Sequence, residues 1–195
     1  MIRGTITWVN SALHKAKSID FIALLAIRLY LLPVIYEGVH SKVTHFSKTV
    51  AWFGAPVAKG GLNLPFPELL AFLATSTEVV GLICIALGLF TRFITIPLTI
   101  LMCVASLMVH WVHGWLAIAS NNMESAIRLS DFLNWLSINF PGRYNYITQL
   151  GDPVILNNGM EFSTTYFIML LVLLCYGGGR YISSDYWLAK LFNRP

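Results

Sequence analysis

Four long apolar runs decide what this chain can fold into. Ile19–Val39 is interrupted only by Asp20, Arg28 and Glu37, and Leu69–Phe90 carries one charge, Glu78. Phe93–Val112 carries none and has His110 near its end, and the fourth run opens at Glu161 and is uncharged from Phe162 to Gly179. At a helical rise of about 1.5 Å per residue, each run covers most of a hydrocarbon layer about 30 Å thick. Backbone polar groups in lipid have no water to bond, so each run is expected to be a helix. The expected fold class is an all-α membrane protein, a four-transmembrane-helix bundle with interfacial amphipathic helices. Its spans are placed at about 19–39, 69–90, 93–112 and 161–179, its outer segments at 40–67 and 114–158, and the whole of 1–195 forms one domain.

Composition excludes the main alternatives. Only 11% of the residues are charged and 56% are hydrophobic, whereas a soluble domain carries about 25% charged residues. A net charge of +4 is too small and too scattered for a nucleic-acid surface. The lipid bilayer is the expected partner. With four spans, Arg3, Lys15, Lys17, Arg92, Arg180, Lys190 and Arg194 share the side of the termini, against Lys42, Lys48, Lys59, Arg128 and Arg143 opposite. Basic residues accumulate on the cytoplasmic side, so both termini are expected there. The first run is too long for a secretory leader, and no small-x-small site follows Val39, so it is read as a helix of the mature protein. Trp8, Trp52, Trp111, Trp115, Trp135 and Trp187 all lie outside the runs or at their ends, as indole rings do in membrane–water interfaces.

The connecting segments carry their own patterns. Trp8, Val9, Ala12, Leu13 and Ala16 share a helical face beside Lys15 and Lys17, which predicts an in-plane helix on an anionic leaflet. Met123–Leu136 predicts an interfacial helix with Ala126, Ile127, Leu133 and Leu136 opposite Glu124, Arg128 and Asp131. Pro67 suits the first turn of the second span. Gly177-Gly178-Gly179 ends the fourth, and Ser184-Asp185 is expected to cap a short helix with Tyr186 and Trp187. Cys84, Cys103 and Cys175 lie in three different runs with no C-x-x-C spacing and read as small hydrophobes.

Ionisable side chains inside a bilayer are costly and seek partners within the bundle. Arg28 and Glu78 both fall near the middle of their runs. Ala74, Gly81 and Gly88 recur every seven residues and make a close-packing seam that includes Glu78. A buried ion pair of Arg28 with Glu78 is therefore expected. On the third run Thr99, Cys103, Ser106, His110 and His113 follow a four-three-four-three spacing and share one face. Two imidazoles one turn apart can hold one metal ion. Glu161 and Glu37 fall at the same membrane depth, so His110, His113, Glu161 and Glu37 are expected to form an outer-face polar cluster, with His110, His113 and Glu161 as metal ligands. No phosphate-cradling glycine loop, G-x-S-x-G or C-x-x-C-H occurs, so no catalytic residue is assigned.

Several motifs together resemble the DoxX family of small membrane proteins, and its HvfX-like branch most closely. They are Arg28-Leu29-Tyr30-Leu31 with Pro33; Leu64-Pro65-Phe66-Pro67 leading to Thr77-Glu78; Leu87-Gly88-Leu89-Phe90-Thr91-Arg92; and Val109-His110-Trp111 with Gly114-Trp115. Asn157-Asn158-Gly159-Met160-Glu161-Phe162, Tyr166-Phe167-Ile168-Met169, Gly177-Gly178-Gly179-Arg180-Tyr181 and Ser184-Asp185-Tyr186-Trp187 complete the set. The resemblance implies a four-helix protein of the bacterial inner membrane. It also implies an accessory part in a redox or copper-handling system linked to copper-binding modified peptides, with copper or a quinone as the candidate cofactor. Two other readings stand beside it. One is a structural or assembly subunit that docks a partner protein, or alternatively a quinone-linked oxidoreductase subunit, with an oligomer open in either case. The other is a proton or small-molecule relay through the embedded charges.

Overall fold

The computed structural model describes residues 17–192. The amphipathic face from Trp8 to Ala16 lies outside the described residues, as do Arg3, Lys15 and Arg194. The described chain is all helical apart from turns, loops and one isolated bridge. It divides into two units, one built from the segments before Val104 and after Thr165, the other from Val104–Thr165.

In the first unit, helix α1 spans Asp20–Thr44. It keeps Pro33 in its interior and runs past the expected stop at Val39. Helix α2, Phe46–Gly54, follows almost without a break. Helix α3, Pro67–Leu87, begins with Pro67 in its first turn, where a missing N–H costs nothing. It ends at Gly88, whose φ of +62° suits glycine. The Gly88 N–H reaches the Ile85 carbonyl and the Leu89 N–H the Cys84 carbonyl, the paired bonds of a Schellman termination. Helix α4, Thr91–Ala105, starts at once. It continues as a π turn, Ser106–His110, and a 3-10 turn, Trp111–His113.

Among the described residues three helical stretches are long and apolar enough to cross a membrane: Asp20–Thr44, Pro67–Leu87 and Thr91–His113. The fourth apolar helix, α7, Glu161–Tyr176, is shorter than the predicted 161–179, because Gly177 turns the chain with φ +77°. Helix α8, Ser184–Phe192, follows the glycines.

Side chains from four helices meet in one core: Leu24, Leu31 and Ile35 of α1, Ile85 of α3, Leu98 of α4, and Leu170 and Leu173 of α7. The small-residue seam is used as expected. A Cβ on Gly81 would stand 2.9 Å from Leu98 Cδ1, so glycine there sets how closely α3 and α4 approach. A second cluster, Phe53 with Ala71 and Ala74, anchors α2 on the first half of α3.

In the second unit, helix α5 spans Glu124–Asn139 and helix α6 Pro141–Thr148. Leu136 is buried on α5, with Ala126, Leu129 and Leu133 half-buried at helical spacing. Ile127, predicted on that face, is exposed, because the buried stripe runs one residue out of phase with it. The chain after the 3-10 turn zips onto the chain before α7. Ala119 N–H bonds to Ile155 O, Gly159 N–H to Leu116 O and Glu161 N–H to Trp115 O, and Ile118 bridges Leu156.

Candidate functional site

Among the described residues two buried charges, Arg28 and Glu78, lie in the first unit, and they do not form the predicted pair. Glu78 is buried on α3, and its partner is Lys42, whose Nζ lies 2.7 Å from both Oε1 and Oε2. Gly38 explains this pairing. A Cβ at Gly38 would stand only 3.5 Å from Glu78 Oε2, so the carboxylate lies against the bare backbone of α1. Lys42, one turn further along, shares that face and folds its ammonium onto the carboxylate. The spacing Gly38-x-x-x-Lys42 was the available signal, masked because the first apolar run was expected to stop at Val39.

Arg28 turns to a different task. Its Nε donates to Ile85 O at 2.8 Å and Nη2 to Ala86 O at 2.8 Å, both carbonyls in the last turn of α3. Its Nη1 donates to Gly178 O at 3.0 Å and Ile182 O at 2.9 Å in the loop after α7. The last carbonyls of a helix have no partner within the helix, and a cation there also meets the negative end of the helix dipole. Arg28 therefore ties α1, the end of α3 and the glycine loop together through charge-assisted bonds. Gly88 makes room, since a Cβ there would lie 2.7 Å from Arg28 Cζ.

The same end holds a second tie. Asp185 does not cap its own helix as predicted. Its Oδ1 accepts from Phe90 N–H at 2.6 Å and its Oδ2 from Thr91 N–H at 2.9 Å, so it caps α4, and its own N–H bonds to Gly88 O. Ser183 Oγ accepts from Tyr186 N–H in its place. At the start of α1, Asp20 pairs with Arg180 at 2.7 Å. The hydrogen bond and the charge of Asp20 push the Arg180 guanidinium up from its ordinary pKa.

In the second unit the predicted metal ligands do not converge. Among the described residues no group of three or more His, Cys, Asp or Glu side chains is placed to hold a metal ion. His110 Nδ1 lies 2.8 Å from Asn158 O, and since a carbonyl only accepts, this nitrogen carries the proton. Glu161 Oε2 accepts from Ala117 N–H at 3.1 Å. His113 is exposed on the 3-10 turn. The π turn is the physical reason. Its wider i→i+5 bonding shifts the phase of the helix, so the stripe from Thr99 to His113 is not continued as one face. Glu37 is exposed on α1. Within the predicted stripe Ser106 is buried and its hydroxyl bonds to Ser163 at 2.9 Å. Sequence reasoning missed Asn157, whose Nδ2 donates to His113 O and Leu116 O and closes the zipped segments.

Residues 23–111 match the DoxX family model. Comparison with curated proteins and with solved structures gives no match. The DoxX match includes Arg28, Lys42, Glu78 and His110. It stops short of Glu161 and of the loop carbonyls that Arg28 binds. The match supports the DoxX family and, with the three apolar helices, a multi-pass membrane protein.

Proposed function

We propose that this protein is a DoxX-type subunit of the bacterial inner membrane, related to the HvfX-like branch, with α7 as a fourth span and both termini cytoplasmic. Its role is assembly: it docks a partner within a redox or copper-handling complex and is not the metal-bearing centre of that complex. One observation carries this reading. The embedded ionisable groups are used up inside the chain, Arg28 on four backbone carbonyls and Glu78 on Lys42. Groups bound in this way hold helices in register and orientation, which is the best-attested use of buried charge. Of the donors predicted for copper, His110, His113 and Glu161, no three among the described residues are placed together to hold a metal ion. Exposed aromatic residues on the second unit, Phe132 and Trp135 among them, supply contact surface of the kind enriched at interfaces.

Purification from native membranes in mild detergent, with particle mass and metal content measured on the same fractions, tests the reading. The expected result is an assembly well above the 21.8 kDa of one chain, with copper content unchanged by His110→Ala or Glu161→Gln. A single-chain particle whose copper disappears with either substitution would overturn it.

A further inference from the structure

At the Arg28 end of the first unit, a groove of about 450 Å³ opens between the start of α4, the glycine loop and α8. Its lining includes Thr91, Arg92, Gly178, Arg180 and Asp185, with Phe93 and Tyr176 at its apolar side. We propose that this groove binds the phosphate of an anionic glycerophospholipid.

Charge is the first argument. Both carboxylates in the groove are engaged: Asp185 accepts from the N–H groups of Phe90 and Thr91, and Asp20 pairs with Arg180. Arg92 is exposed and has no side-chain hydrogen bond or ion pair among the described residues. Beneath the loop lies Arg28, buried and bonded only to carbonyls, so its charge is not cancelled by a carboxylate in contact. The groove lining sets Arg92 and Arg180 against Asp20 and Asp185, with buried Arg28 beneath as the excess positive charge, and Arg92 is a guanidinium suited to phosphate oxygens.

Shape is the second. A Cβ on Gly178 would stand 2.7 Å from Thr91 Oγ1, so glycine lets the loop lie directly against that hydroxyl at the groove floor. The hydroxyl is buried and has no hydrogen-bond partner among the described residues. Buried hydroxyls without partners are uncommon, and a ligand oxygen is one way to satisfy one.

Position is the third. Only a short turn separates α3 from the Thr91–His113 stretch that α4 begins, both long enough to cross a membrane, so the groove sits where the spans leave the bilayer. Phe93 is 74% and Tyr176 71% exposed, which places bare aromatic surface beside the cation. A phosphate over Arg92 with acyl chains along Phe93 and Tyr176 matches both halves of a phospholipid.

The test titrates delipidated full-length protein in detergent with short-chain phosphatidylglycerol and with phosphatidylcholine, following bound lipid by native mass spectrometry. Tighter binding of phosphatidylglycerol is expected. Arg92→Gln should weaken it roughly fivefold, the loss of about one surface cation, and Lys59→Gln should leave it unchanged. Equal binding by wild type and Arg92→Gln, or an equal loss with Lys59→Gln, would overturn the site. Displacement of the lipid by millimolar inorganic phosphate would overturn the lipid assignment in favour of a free anion. The inference rests on the membrane reading only for the depth of the groove. A protein that stayed soluble without detergent would sink that reading, whereas binding indifferent to Arg92 sinks the site alone.

Discussion

The Lys42 ammonium stands 2.7 Å from each carboxylate oxygen of Glu78, across the contact between α1 and α3. The pair joins a lysine that is 25% exposed to a carboxylate that is 9% exposed, so more of the desolvation falls on Glu78. A carboxylate held this way fixes the register of the two helices, because a shift of one residue along α1 would carry Gly38 off the carboxylate.

A double-mutant cycle separates this pair from the Arg28 centre. Lys42→Met combined with Glu78→Gln should show a coupling between about 0.5 and 3 kcal/mol in thermal unfolding. Arg28→Gln combined with Glu78→Gln should be additive within about 0.5 kcal/mol, because the two side chains share no partner. Arg28→Gln alone should cost about 3 kcal/mol, since it strands carbonyls at the end of α3 and in the glycine loop. Coupling between Arg28 and Glu78 as large as that of Lys42 and Glu78 would contradict the arrangement.

Gly88 and Gly60 form a matched comparison. Both have positive φ, +62° and +78°, but a Cβ at Gly88 meets Arg28 Cζ and Ser183 Cβ at 2.7 Å, whereas one at Gly60 meets nothing within 4 Å. Gly60→Ala should cost about 1 kcal/mol, the penalty of the left-handed conformation. Gly88→Ala should cost about 3 kcal/mol, because overpacking against a bonded guanidinium adds to it. Equal melting temperatures for the two variants would show that the Arg28 cradle can relax.

Asp185→Ala should cost about 1–2 kcal/mol, the usual value of a lost helix cap, although the residue lies far from α4 in sequence. Asp185→Asn, which keeps one acceptor, should lose less. Hydrogen exchange at the Phe90 and Thr91 amides should accelerate in Asp185→Ala. Unchanged protection there would refute the cap.

What was legible in the chain was legible for local reasons. Apolar run length predicts four crossing helices without knowledge of any contact, since hydrophobicity and rise per residue are properties of the segment alone, and three of them are long enough in the described residues. Pro67 marks the start of α3 because its backbone preference acts on its own dihedral angle, whereas the run expected to reach Phe90 stops at Leu87, before Gly88 at φ +62°. The seven-residue recurrence of Ala74, Gly81 and Gly88 likewise predicts a contact face from helical period. The DoxX match over residues 23–111 rests on the same segment.

Partner choice was not local. Arg28 and Glu78 are each central in an apolar run, and opposite charge alone favours pairing them. Tertiary structure decided otherwise, because the end of α3 and the loop after α7 each offered two carbonyls to the guanidinium and Gly38 brought Lys42 to the carboxylate. The π turn at Ser106–His110 broke a histidine stripe that an unbroken helix would have kept. Asp185 capped a helix nearly a hundred residues away. A periodic pattern states which residues share a face, but hydrogen-bond partners depend on which chain ends are left unsatisfied nearby, and only the packed helices determine that.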